Sequence, residues 1–169
     1  DAHYGLLFDG AHGAVNIGTA GAGLQLNVRG MGIGFLGDST GTVAVGHAGA
    51  TSSILVNAGA ALGRGIEYFR SDATVTATNI DINGTGTNAG SAGVYVEDYD
   101  ALGSVTLTGT NTIDSTGGEG VFIQNAAVTI SDLTLGAAAT GLADDITGAG
   151  IRILNTDGLS RTLALSNIV

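Results

Sequence analysis

A glycine followed by an apolar residue, any residue and a second apolar residue recurs six times along this chain. The copies are Gly5-Leu6-Leu7-Phe8, Gly32-Ile33-Gly34-Phe35, Gly65-Ile66-Glu67-Tyr68, Gly93-Val94-Tyr95-Val96, Gly120-Val121-Phe122-Ile123 and Gly150-Ile151-Arg152-Ile153. Successive glycines stand 27, 33, 28, 27 and 30 residues apart. A period of this length marks a solenoid, whose repeat cannot bury its own apolar face and must stack on its neighbours. Two further β-prone segments keep the same period. One is centred on Val15, Val43, Val75, Val105, Val128 and Leu163, the other lies around Leu26, Leu55, Ile80, Ile113, Leu133 and Ile168. Three short strands per repeat predict a three-sided coil.

Alternation along a strand assigns the faces. The first and third residues after each glycine point inward: Leu6, Ile33, Ile66, Val94, Val121 and Ile151, then Phe8, Phe35, Tyr68, Val96, Ile123 and Ile153. Both columns are apolar but for the hydroxyl of Tyr68. The residue between them faces solvent, giving an outer column of Leu7, Gly34, Glu67, Tyr95, Phe122 and Arg152. The repeat glycine is expected to turn the corner through a positive φ. Asn125 and Asn155, each five residues after a repeat glycine, are placed to form a two-rung amide ladder or to act singly as turn residues. Enlarged corners are expected at Asn57–Arg64 and Gly136–Asp145, the latter a loop or a single helical turn. No linker is visible, so residues 1–169 read as one β-helix segment. The pattern breaks off at Asp1 and Val169 without a polar cap, which predicts a piece of a longer solenoid, with further coils or another copy covering at least one end.

Composition narrows the function classes. The chain is 44% hydrophobic and 12% charged, too apolar for a disordered polymer. A net charge of −10, with five arginines and no lysine, speaks against nucleic acid, which needs a basic stripe, and against an anionic membrane surface. No run of about 18 apolar residues is present to insert as a membrane helix. The absence of cysteine removes disulfides, thiolate metal sites and cysteine nucleophiles together.

Segments such as Gly120-Val-Phe-Ile-Gln-Asn-Ala-Ala-Val-Thr-Ile-Ser-Asp-Leu-Thr-Leu and Gly150-Ile-Arg-Ile-Leu-Asn resemble the degenerate repeats of right-handed parallel β-helix proteins. The whole chain is similar in particular to passenger domains of bacterial autotransporters and large surface adhesins, which also favour Gly, Ala, Thr and Asn and tend to lack cysteine. The resemblance implies an all-β, right-handed, single-stranded parallel β-helix of about six three-sided coils. It also implies an extracellular or cell-surface location. The same repeats occur in pectin-degrading enzymes, phage tailspikes and alginate epimerases.

An enzyme on that framework would place its acids on one exposed strand column, several coils deep. The outer column holds one carboxylate, Glu67, and not the acid pair of a glycosidase. The paired aspartates, Gly-His-Gly and Arg-Ile-Lys of polygalacturonases are missing, and Asp-Pro-His-Asp cannot occur without proline. Asp144-Asp145 has no nearby histidine. Glu97, Asp98 and Asp100 lie along one corner, either as a solvated acidic turn or as oxygen ligands for Ca²⁺. His3, His12 and His47 are too scattered for a metal site, and Gly117-Gly118-Glu119-Gly120 is not continued as a Ca²⁺-binding nonapeptide. The second strand carries Thr74, Thr76, Thr106, Thr108 and Thr129, an array like that of ice-binding solenoids but interrupted at Asn16 and Ala44. Tyr95 and Phe122, adjacent on the outer column and flanked by Glu67 and Arg152, form the candidate binding strip, since aromatics beside polar groups suit a sugar face or a protein.

These observations lead to a non-catalytic structural and adhesive segment, without cofactor or metal, that engages protein or carbohydrate at a cell or matrix surface. The alternatives are a fragment of a polysaccharide-acting β-helix enzyme and a filament subunit that associates end to end.

Overall fold

The structure, a computed structural model, describes residues 3–100, 102–136 and 146–169. Among these residues there are fourteen strands and no helix. The strands wind into a parallel β-solenoid of about five turns. The expectation of about six coils is corrected in that respect: six repeat glycines place six rungs on the first face, and six rungs are separated by only five circuits.

The first face stacks β1 (Tyr4–Ile17), β3 (Met31–Gly46), β5 (Arg64–Phe69), β8 (Ala92–Glu97), β11 (Glu119–Gln124) and β13 (Ile151–Leu154). β1 and β3 continue around the first corner, and their later halves join β6 (Thr74–Thr78), β9 (Ser104–Thr108), β12 (Val128–Leu135) and β14 (Leu163–Ile168) on the second face. The third face is built from β2 (Gln25–Val28), β4 (Ser52–Val56), β7 (Ile80–Gly86) and β10 (Asn111–Thr116), continued by the end of β12. Every strand pairing is parallel.

The register follows the apolar alternation. Leu6, Ile33, Ile66, Val94, Val121 and Ile151 form one continuous column, and Phe8, Phe35, Tyr68, Val96, Ile123 and Ile153 form another. Val15, Val43, Val75, Val105, Val128 and Leu163 stack in the same way. On the third face the expected centres divide between two inward columns. Leu26, Ile54, Ile82, Ile113 and Leu135 make one, and Ser52 with Ile80, then Asn111 with Leu133 and Ile168, belong to the other. Leu55 pairs with Asn27 and Asn83 and is only half-buried, while Ile54 and Val56 on either side are buried. Each fully buried aliphatic side chain contributes roughly 1.5–3 kcal/mol. Tyr68, the one hydroxyl in the first-face columns, is satisfied by donating to the carbonyls of Ser71 and Ala73.

The repeat glycines are needed for space. None of the six has a positive φ. A Cβ on Gly32 would lie 2.6 Å from Ile54 Cγ2, and one on Gly65 would lie 2.5 Å from Ile82 Cγ2 and 2.6 Å from the Gly93 carbonyl. The glycine column is thus where first-face backbones press against branched side chains of the third face. Positive φ occurs instead at Arg70, Asn79, Asn125, Asp132 and Asn167, each between 52 and 54°, and at other glycines.

Side chains staple some of these corners. Asn79 donates to the carbonyls of His47 and Ala48 in the coil below and accepts from the Thr110 amide in the coil above. The ladder considered for Asn125 and Asn155 does not form. Asn125 bonds to both the hydroxyl and the amide of Thr156, and Asn155 turns back to the Leu159 carbonyl. An amide pair is found elsewhere, from Asn57 Nδ2 to Asn27 Oδ1 at 2.9 Å. The enlarged corner at Asn57–Arg64 is a loop up to Gly63, with Arg64 opening β5. The corner expected at Gly136–Asp145, including Asp144-Asp145, lies outside the described residues from position 137 onward.

Candidate functional site

The three outer surfaces differ in chemistry. On the second face the outward positions, among them Thr42, Thr74, Thr76, Thr106 and Thr129, carry no charge along the paired rungs. The third face adds Asp81 and Asp114. The first face gathers aromatic rings with both signs of charge, so it is where a partner could be recognised.

Parallel register places Leu7, Gly34, Glu67, Tyr95, Phe122 and Arg152 in a single outer column. The four candidate residues therefore occupy consecutive rungs, roughly 4.8 Å apart. Tyr95 and Phe122 stack with ring centroids 4.8 Å apart and planes 10° from parallel. The Arg64 guanidinium lies 3.3 Å from the Tyr95 centroid on the other side of that ring, and the Arg152 guanidinium lies 5.8 Å from the Phe122 centroid. The stack runs cation, ring, ring, cation along the solenoid axis. The Tyr95 faces are thereby occupied, so a partner meets ring edges and the exposed head of Arg152. Stacked pairs contribute about 0.5–1.5 kcal/mol beyond their buried area, so the strip stabilises the sheet as well as decorating it.

Glu67 departs from the expectation of a solvent-facing acid. It points outward yet is only 6% exposed, because Tyr4 and Arg64 cover it. The Tyr4 hydroxyl donates to one carboxylate oxygen at 2.5 Å, and Arg64 forms an ion pair with the other. Tyr4 reaches Glu67 from two rungs away because Gly34 lies beneath its ring, where a Cβ would collide with Cδ1 and Cε1. Arg152 is exposed and pairs with Glu119 at 3.0 Å.

The acidic corner is also consumed by local contacts. Glu97 accepts hydrogen bonds from the hydroxyls of Tyr95 and Tyr99 and faces Arg70 at 3.7 Å. Asp98 is buried and Asp100 is exposed. Together with Arg70 and Tyr99 they line a pocket of about 370 Å³. Glu97, Asp98 and Asp100 do not converge on one point. Among the described residues no group of three or more histidines or acids could hold a metal ion. His12 and His47 make local contacts with the Gly10 carbonyl and the Gly49 amide.

Burial, followed by the hydrogen bond to Glu97, pushes the Tyr95 hydroxyl up from 10.0 to about 12, against the pull of Arg64. Burial, then the bond to Glu67, also raises Tyr4. Both phenols are therefore hydrogen-bond donors to their carboxylates at neutral pH. Sequence reasoning missed Tyr4, Arg64, Arg70, Tyr99 and Glu119. The Arg64–Glu67, Glu97–Tyr99 and Phe69–Arg70 pairs are close in sequence, whereas nothing local connects Tyr4 to Glu67 across 63 residues. In comparisons with known proteins, no family model, no curated protein and no solved structure matches this chain.

Proposed function

We propose that the chain is a non-catalytic structural and adhesive segment of a β-helix protein, secreted or held at a bacterial cell surface in the manner of an autotransporter passenger domain or large adhesin. The stacked coils act as a stiff stalk that presents the first-face strip to a protein or carbohydrate. The strip carries this reading. Its rings are locked by Arg64 and by each other, while Phe122 and Arg152 remain reachable from outside. Ring edges and a guanidinium both present positive charge density, which suits the hydroxyl and carbonyl oxygens of a glycan or a peptide backbone. The acids beside the strip are engaged. Glu67 and Glu97 have both oxygens in contact with hydroxyls or arginines, so using either as a general acid or base means breaking these contacts first.

Binding of the 169-residue chain to arrays of glycans and matrix proteins tests the reading. Changing Phe122 and Arg152 together to alanine should weaken any binding at least about tenfold, a loss of about 1.4 kcal/mol, with circular dichroism unchanged. Undiminished binding by that variant removes the strip from consideration. Turnover of pectate or alginate that disappears in Glu97→Gln would move the protein to the enzyme reading.

A second reading, end-to-end self-association of this polypeptide, is favoured by the terminal rungs. Ile153, Leu163 and Leu165 are 47, 38 and 39% exposed although each continues an inward column, and Leu6, Phe8, Val15 and Ile17 at the other end are only half-buried.

A further inference from the structure

Resting on the end-to-end reading above, we propose that copies of this polypeptide stack head to tail, with the Phe8 ring of one copy seated in a hollow beside Ile153 of the next. The hollow measures about 190 Å³ and lies where β13 turns toward β14, at the corner between the first and second faces of the last rung. Ile123 and Ala126 belong to the coil below, and Ile153 and Leu163 are the half-exposed walls. Rings fill this corner lower in the stack. Phe8, Phe35 and Tyr68 share one inward column, and the Tyr68 hydroxyl reaches across the corner to the Ser71 and Ala73 carbonyls. Farther along, the column narrows to Val96, Ile123 and Ile153, which do not reach as far. An aliphatic cavity of roughly 150 Å³ accepts a benzene ring, so the hollow has room for one.

The opposite end presents that ring. Phe35 stacks on one face of Phe8, with centroids 4.9 Å apart and planes 7° from parallel. Among the described residues β1 pairs only with β3, β13 only with β11 and β14 only with β12, so each terminal rung has an open edge. Adding a second copy as one further coil sets Leu6 over Ile151, Phe8 over Ile153 and Val15 over Leu163. Three inward columns then run on without a break, and the strands pair in parallel across the contact as they do within the chain. On the outside, Asp9 stands over Leu154 and diagonal to the exposed Arg152, which brings opposite charges together.

Joining like ends fails on the same geometry. A two-fold axis reverses the strand direction, lets one face at most meet its own kind, and leaves the hollow unfilled. The head-to-tail contact is heterologous and does not close, so it extends into a filament.

The chain has no cysteine, so an introduced disulfide can report the contact. Asn16 and Ala164 are exposed and belong to one outward column of the second face. In the stack they stand roughly 4.8 Å apart on neighbouring copies, inside the range of roughly 4.4–6.8 Å that a disulfide spans. Treated with diamide in high salt, the Asn16→Cys, Ala164→Cys double variant should give a ladder of covalent multimers, and neither single variant should cross-link. Association without a ladder, or dimers from a single variant, overturns the head-to-tail contact and leaves end-to-end association standing. Sedimentation reads the anchor. Phe8→Ala should weaken association at least about tenfold. Because Phe8 also packs on Phe35, Ile153→Phe serves as a second variant: its own ring occupies the seat, and it should weaken association as much with circular dichroism unchanged. Undiminished association of Ile153→Phe overturns the seating of Phe8. A native polypeptide that stays monomeric overturns the end-to-end reading as well, and leaves the hollow to a further coil or to a different partner.

Discussion

Gly65 allows two explanations of a repeat glycine to be separated by the sign of one measurement. If its role were only conformational, alanine would be tolerated at its non-positive φ and would stabilise by about 0.4–1 kcal/mol through the unfolded chain. The structure instead puts a Cβ against Ile82 and the Gly93 carbonyl, so Gly65→Ala should destabilise by about 1–3 kcal/mol in urea unfolding. Ile82→Ala in the same chain should relieve only part of that cost, because the carbonyl cannot retreat. Val121 marks the opposite extreme, with no exposure and apolar neighbours above and below. Val121→Asp should cost more than about 4 kcal/mol or abolish folding, since the stack offers the charge no partner. A soluble, cooperatively melting Val121→Asp protein would contradict the column assignment.

At the level of the strand, the sequence was legible wherever apolar and polar residues alternate. The first and second faces could be phased residue by residue because Gly-Ile-Glu-Tyr and Thr-Val-Thr-Ala leave one choice of inward side. The third face could not, since Ile54-Leu55-Val56 is apolar throughout and only packing decides that Leu55 turns out. The candidate strip was legible as a column but not as an environment. Placing Tyr95 beside Phe122 required only the period, whereas the cover over Glu67 required knowing that Gly34 lets the Tyr4 ring pass. That environment has a pH signature. The fold favours protonated Tyr95, so its contribution is complete below pH 10 and fades as pH rises toward about 12. Melting temperature should fall across that interval in step with tyrosinate absorbance, and Tyr95→Phe should flatten part of the fall. A Tyr95→Phe protein with an unchanged alkaline profile would show that the hydroxyl is not held as described.

For the whole chain, the opposing influences are exposed apolar rungs and a net charge of −10. In the proposed end-to-end contact, exposed apolar rungs of the 169-residue polypeptide would favour association while like charge opposes it until salt screens it; the screening length falls from about 10 Å at 0.1 M to about 3 Å at 1 M. Sedimentation of the 169-residue polypeptide should therefore show association that grows with both concentration and salt, and Leu163→Lys should suppress it. A monomer at high concentration in 1 M salt would end the filament reading. The corner staple at Asn79 bears on a different property. Stretched from its two ends, a solenoid yields by peeling one rung at a time, and the half-covered outer rungs give way at the lowest load. A tear advancing from the N-terminal side meets, at Asn79, a single side chain gripping the coils on both sides of its own. To enter that coil it must break the two bonds to the His47 and Ala48 carbonyls together, and to leave it the bond from the Thr110 amide as well. The Asn79 corner thus adds toughness to the middle of the stack, and a pulled chain should pause there longer than its Asn79→Ala variant.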